Sequence, residues 1–208
     1  MKKRICHLVG AGDFFGFGTE ISPDDIVIAV DGGYKILMDS GVTPDFIVGD
    51  FDSLGVIPEG QNVTVLPSEK DVTDMFTAIN LGMENGGTVF HIYGGTGGRL
   101  DHTIANFQLL NFFAEKGIDL FFYGDGFALT AVKNNSIALM GNKGRYVSVF
   151  SLTDISEGVT LRGLKYPLEN YTLTNAFPLG VSNEFTDETA EISVGNGILA
   201  VYYTIGKD

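Results

Sequence analysis

Up to about residue 125 the chain alternates two patterns, unbroken apolar runs and helix-spaced stretches; after Gly126 the helical pattern stops. The runs RICHLVG, IVIAV, FIVGD, VTVL, TVFHIYG and IDLFFYG read as strands buried on both faces, which a parallel sheet requires. Between them the spacing predicts helices over residues 34–39, 73–84 and 102–116. Gly86 and Gly87 close the second helix and Gly117 the third, whose inner face is expected to carry Ile104, Phe107, Leu110 and Phe113. Strands interleaved with helices imply βαβ units. Beyond Gly126 come only short β-rich segments (ALTAV, SIALM, RYVSVFSL, GVTLRGL, YTLTNAF, AEISV, ILAVYYTI), separated by turn formers such as Asn134-Asn135, Gly141-Asn142 and Asn196-Gly197. The expected fold class is α/β: a mostly parallel-sheet, three-layer domain over residues 1–126, followed by an all-β sandwich domain over 127–208.

Bulk properties narrow the function classes. Hydrophobic residues make up 44 % of the 208 and charged residues 19 %, so a sizeable core is expected and disorder is not. Cys6 is the single cysteine; it allows no internal disulfide and suits a reducing, cytoplasmic setting. MKKR resembles the start of a signal peptide, but the apolar stretch after it is short and runs into Gly10, Gly12 and Asp13, as a first strand would. No stretch approaches the length needed to span a bilayer. The net charge of −13 argues against a nucleic-acid partner, because that binding relies on Lys and Arg neutralising phosphates. The same field mildly favours a cationic small molecule and would repel free ATP unless a metal accompanies it.

Four aspartates carry the chemistry. Asp50 and Asp52 lie in FIVGDFDS, Asp74 in KDVTD and Asp101 in GGTGGRLDH, each where a buried run gives way to a loop or helix. In an open α/β sheet the carboxyl ends of the strands converge on one crevice, where ligands bind. Carboxylates gathered there repel one another by roughly 4 kcal/mol per close pair at an effective dielectric near 20. A hard divalent cation relieves this, and Mg²⁺ that also holds phosphate oxygens is the common use. The i, i+2 spacing of Asp50 and Asp52 puts both carboxylates on one side of extended backbone, with Gly49 allowing the turn. Asp71 is expected to cap the second helix, with Asp74 in its first turn at the positive end of the dipole.

The segment GGTGGRLDH reads as a strand end, a glycine-rich loop and a helix start. Such a loop lets backbone N–H groups approach phosphates, although it is neither a P-loop nor a dinucleotide fingerprint. Arg99 is then the natural phosphate clamp; His102 either hydrogen-bonds a phosphate or packs at the helix start. Asp31, Gly32 and Gly33 in VDGGYK end another strand near the same crevice, while GAGDFFGFG reads as a tight turn. His7 and His91 sit inside apolar runs and are expected in the core. Neither zinc-ligand spacing nor a Ser/His/Asp triad is present.

Together VDGG, PDFIVGDFDS, KDVTD, GGTGGRLDH, LRGLKYPL and GVSNEF resemble the thiamine pyrophosphokinase (thiamine diphosphokinase) family, in order and over nearly the whole chain. The resemblance implies transfer of the pyrophosphoryl group of ATP to the hydroxyl of thiamine, releasing AMP. It implies Mg²⁺ held by Asp50, Asp52, Asp74 and Asp101, and ATP contacts from Asp31, Gly32, Gly33, Thr73, Gly97, Gly98, Arg99 and His102. Thiamine contacts are expected from Ser182 and Asn183, with Phe185 against a ring. It also implies a homodimer with the active site at the subunit interface. Two alternatives stand beside this reading. In a haloacid-dehalogenase-like phosphatase, Asp50 would be the nucleophile. A non-enzymatic Mg²⁺–nucleotide sensor would bind without turnover.

Overall fold

The computed structural model describes residues 3–51, 62–67, 69 and 71–206. The chain divides into two compact units. One comprises the chain up to Leu109 together with Leu120–Gly124; the other comprises Leu110–Asp119 and everything from Asp125 onward. Among the described residues no helix is long and apolar enough to cross a membrane.

The first unit is built on β1 (Ile5–Val9), β2 (Ile26–Val30), β3 (Phe46–Gly49), β4 (Val63–Val65), β5 (Val89–Tyr93) and β6 (Asp119–Gly124), arranged β6-β5-β1-β2-β3-β4. The pairs β1–β2, β1–β5, β2–β3 and β3–β4 are parallel. Strands β2 and β5 are buried at every position, as their unbroken apolar runs require. From β1 the chain steps outward through β2, β3 and β4, then returns to place β5 on the other flank of β1. The order therefore reverses beside β1, and the loops leaving β1 and β5 open the crevice where such sheets bind ligands.

Helix α1 (Gly33–Asp39) inserts Leu37 among Val9, Val27, Ala29, Ile47 and Tyr93 on one face of the sheet. Helix α2 (Asp74–Glu84) lies over the alternate residues: its Gly82 meets Phe90 and Cys6, which point to the opposite face. Thr73, rather than Asp71, caps α2: its hydroxyl accepts the Phe76 N–H at 3.2 Å, and Asp71 is exposed ahead of the helix. Helix α3 (Leu100–Glu115) buries Leu110 and Phe113 as its spacing suggested, but the buried stripe is rotated away from Ile104 and Phe107. Asn106, Leu109, Leu110, Phe113 and Ala114 are buried, an i, i+3, i+4, i+7, i+8 stripe, whereas Ile104 and Phe107 are exposed. Apolar residues occur all round this helix, so two registers fit the sequence, and the buried one contains a polar residue.

The second unit contains β7 (Phe127–Lys133), β8 (Ser136–Met140), β9 (Tyr146–Ser151), β10 (Ile155–Arg162), β11 (Leu168–Thr174), β12 (Gly180–Glu184), β13 (Thr189–Ser193) and β14 (Ile198–Thr204). They form two antiparallel sets, β12-β9-β14-β7 and β11-β10-β13-β8. Val147, Val149, Leu199 and Val201 from one set and Val159, Leu161, Leu173 and Ile192 from the other share one apolar core. The GVSNEF segment, read as a ligand contact from sequence, is strand β12 and the residue after it.

Candidate active site at the ends of the parallel strands

Three carboxylates meet at the carboxyl ends of β2 and β3 and the start of α2. Asp31 follows β2 in a left-handed conformation (φ 50°), which directs its side chain back over the neighbouring strand end. Its N–H donates to Val48 O at 2.8 Å, and its Oδ1 accepts the Asp50 N–H at 3.2 Å. Any side chain at Gly49 would collide with that same Oδ1, so the glycine between β3 and Asp50 is required by a close approach. Asp74 hydrogen-bonds the Asp31 carboxyl. Partial burial, then the charge of Asp74 and that hydrogen bond, then the charge of Asp50 push Asp31 up to about 7. Three acidic groups thus converge on one junction, an arrangement that suits a cation. Gly33 belongs to the same junction: a side chain there would strike Val9 O, so α1 starts directly against the end of β1. Gly32 is the N-cap position of α1, and Thr73 spends its hydroxyl on capping α2.

The glycine-rich loop after β5 is fixed by its carbonyls. Those of Gly94, Gly95 and Thr96 accept, in turn, from Gly12 N at 2.9 Å, Asn106 Nδ2 at 2.7 Å and Asp13 N at 3.0 Å. Gly97 and Gly98 then take positive φ values, 82° and 62°. Among the described residues none accepts a hydrogen bond from the backbone N–H groups of Gly97, Gly98 or Arg99. Asn106 is a contributor that sequence reasoning missed. Its signal was a lone polar residue on what proves to be the buried stripe of α3.

At the start of α3, Arg99 grips Asp101 with both arms, Nε to Oδ1 at 3.2 Å and a terminal nitrogen to Oδ2 at 2.6 Å. Both side chains are mostly exposed. The Arg99 bond, helped by the His102 N–H at 3.1 Å, holds the Asp101 carboxyl below the usual carboxylate range. The structure therefore brings Asp31, Asp50 and Asp74 together and couples Asp101 to Arg99 instead. Asp52 lies outside the described residues. Among the described residues no three acidic, histidine or cysteine side chains are yet gathered tightly enough to enclose a metal ion. The donor chemistry nonetheless fits Mg²⁺, since all three groups are hard oxygen ligands, and burial together with the charges of Asp74 and Asp50 is what raises Asp31.

In the second unit Ser182 is exposed, has a left-handed backbone (φ 59°) and donates its N–H to Ser148 Oγ at 3.0 Å. Asn183 is buried and pins the neighbouring turn: its Oδ1 accepts from Tyr166 N at 2.9 Å and Glu184 N at 3.0 Å, and its Nδ2 donates to Tyr166 O at 2.7 Å. Phe185 departs from expectation. It is 1 % exposed within the apolar core, against Gly141, so no face of its ring is open to a ligand.

The profile of the thiamin pyrophosphokinase catalytic domain matches residues 17–122, and that of the family's vitamin B1 binding domain matches residues 134–199. The chain belongs to the thiamin pyrophosphokinase family. It is 32 % identical over 188 residues to thiamine pyrophosphokinase of Bacillus subtilis (strain 168), an alignment covering 83 % of this chain and 84 % of that protein. The crystal structure of a Bacillus subtilis thiamine pyrophosphokinase superposes with a TM-score of 0.87 at 27 % identity, covering 97 % of this chain and 99 % of that one. A thiamin pyrophosphokinase family protein from Enterococcus faecalis gives 0.81 at 29 % identity, covering 99 % and 100 %. The catalytic-domain match contains all four aspartates of the sequence reading, and the vitamin B1 match contains Ser182 and Asn183.

Proposed function

We propose that this protein is a thiamine diphosphokinase, transferring the pyrophosphoryl group of ATP to the hydroxyl of thiamine and releasing AMP. The observation that carries the reading is the set of three carboxylates from separate stretches at adjacent strand ends, with Asp31 driven up to about 7. Family membership supplies the substrates. Asp50 and Asp74, with Asp52, hold Mg²⁺, and Asp31 braces the Asp50 turn. Bound there, Mg²⁺ supplies neutralisation of charge on the phosphate chain.

The protein's own groups do the rest. The N–H groups at Gly97 and Gly98 cradle the phosphates. Arg99 turns from Asp101 to the phosphates as charge builds on the departing AMP oxygen, and Asp101 keeps the guanidinium oriented until then. His102 stands beside them at the helix start. A carboxylate of the crevice left out of metal binding takes the thiamine hydroxyl proton. Ser182, with the turn that Asn183 pins, receives thiamine. In this reading the three-layer catalytic domain spans residues 1–126 and the β-sandwich domain 127–208. The protein works in the cytoplasm as a homodimer whose subunits share the active site.

Incubation with ATP, Mg²⁺ and thiamine, followed by separation of nucleotides, tests the reaction. AMP and thiamine diphosphate in equal amounts are expected. Formation of ADP, release of inorganic phosphate, or independence of thiamine would overturn it.

A further inference from the structure

Residues 10–25, between β1 and β2, form a strap without regular structure that is tied to β5 and its loop by its first residues and again through Thr19. Its first residues pair with the chain leaving β5: Gly10 N donates to Tyr93 O at 2.8 Å, Gly12 N to Gly94 O at 2.9 Å and Asp13 N to Thr96 O at 3.0 Å. Gly10, Gly12 and Gly94 are packed backbone to backbone, and a side chain at any of them would strike a carbonyl of the other segment. Midway, the rings of Phe14 and Phe17 stand edge-on to Tyr93, with centroids 6.4 and 5.1 Å away. Gly18 lies so close to the Tyr123 ring that a side chain there would collide with it.

The far end is held by polar groups. Thr19 Oγ1 lies 2.9 Å from His91 Nδ1 and 3.2 Å from the Tyr93 hydroxyl, both on β5. The Tyr93 hydroxyl continues to His7 Nδ1 at 3.4 Å, and His7 Nε2 to Asp25 Oδ2 at 3.2 Å, where the strap ends. Asp25 Oδ2 also accepts the Ser22 N–H at 2.8 Å. A chain of hydrogen bonds thus runs from Thr19, through β5 and β1, to Asp25 where the strap ends. Groups linked in this way are ordered as a unit, and the next residues along β5 are the glycine-rich loop.

We infer that the strap, latched by the Thr19 hydroxyl to His91 and Tyr93, fixes the conformation of loop 94–99 and so sets its hold on the nucleotide phosphates. Thr19 is then a positioning residue. The second half of the inference rests on the phosphate role proposed for that loop.

The test compares Thr19→Val, which keeps shape and deletes the hydroxyl, with Thr19→Ser, which restores it, in the full-length enzyme. Amide hydrogen exchange over residues 94–99 is measured together with steady-state kinetics for each substrate. Thr19→Val is expected to speed exchange in the loop and raise KM for ATP about tenfold, as for one lost hydrogen bond. kcat should stay within about twofold and KM for thiamine should hold, the pattern of lost uniform binding. Thr19→Ser should return all of these toward wild type. Should Thr19→Val fold poorly, Tyr93→Phe breaks the same hydroxyl link and carries the same expectations. Unchanged exchange in the loop, or a Ser variant as impaired as the Val variant, would overturn the inference. Faster exchange with an unchanged KM for ATP would leave the strap's hold on the loop standing and remove the phosphate role from it.

Discussion

The first unit holds two clusters of ionisable groups, and they are finished differently. Beneath the strap, His7, His91, Tyr93, Thr19 and Asp25 are bonded to one another and packed among Phe14, Phe17, Phe121 and Tyr123. Beyond the strand ends, Asp31, Asp50 and Asp74 converge, and burial with the charges of the other two pushes Asp31 up to about 7. Histidine is the residue a search for catalysis visits first, yet His7 and His91 belong to the scaffold. On the proposed reading, the reacting site is marked by the convergence of carboxyls at the strand ends that raises Asp31, rather than by residue type.

The sharpest way to break the contrast is to neutralise the acidic cluster. Asp50→Asn and Asp74→Asn should each lower turnover by at least about a thousandfold, the scale for losing a transition-state charge stabiliser. Both variants should stay folded, with Tm equal to or a few degrees above wild type, because each removes like-charge repulsion of roughly kcal/mol size. Loss of activity with a collapse of Tm would make the cluster structural. AMP formation and thermal unfolding are the two readouts.

Arg99 and Asp101 test the exposed edge of the site. Arg99→Lys keeps the charge and loses the fork; a fall of about a hundredfold in kcat is expected, with Tm unchanged since the pair is solvent-exposed. Asp101→Asn should also abolish turnover in a folded protein. Normal kcat in either variant would remove that residue from the site.

The histidine cluster should announce itself through pH and stability. Burial, assisted by the charge of His7, pushes the His91 imidazole down from its ordinary 6.5 to about 4. Below pH 6.5 the unfolded chain takes up a proton that the folded protein refuses until about pH 4. Stability is therefore fully present above 6.5 and is lost as pH falls through this window, by about 3 kcal/mol at most. Denaturant melts from pH 7 to 4 should show the decline, and His91→Gln should flatten it. An equal slope in that variant would place the acid sensitivity elsewhere.

The smallest effect belongs to Thr73. Its hydroxyl caps α2, so Thr73→Ala should cost about 1 kcal/mol of stability, recovered by Thr73→Ser. A large loss of kcat with stability intact would instead make the hydroxyl an ATP contact.

Much of this was legible in the chain because burial on both faces leaves an unmistakable apolar run. All six strands of the first unit coincide with apolar runs, though β4 proves largely exposed and β6 fully buried only at alternate positions rather than on both faces. The end of helical spacing near Gly126 marks the start of the β-rich region. The carboxylates were legible because each follows one of those runs or begins a helix. What escaped were contacts fixed only by packing. The register of α3 depends on which of two overlapping apolar faces meets the protein; spacing alone found Leu110 and Phe113 but wrongly added Ile104 and Phe107. Phe185 looked available because it follows a turn-like Ser-Asn-Glu, but alternation in β12 sends Asn183 and Phe185 inward together. Asn106 and Thr19 act through partners 11 and at least 72 residues away, a distance no local pattern encodes.

The central claim is that Asp31, Asp50 and Asp74 form one cation-dependent site for the phosphates of ATP. Thermal unfolding with ATP present, titrated with Mg²⁺ in wild type and in the Asp50→Asn/Asp74→Asn double variant, tests it most directly. The account predicts a Mg²⁺-dependent rise in Tm for the wild type that the double variant lacks, while both start from a comparable Tm without metal. Equal Mg²⁺-dependent rises in the two proteins would contradict it.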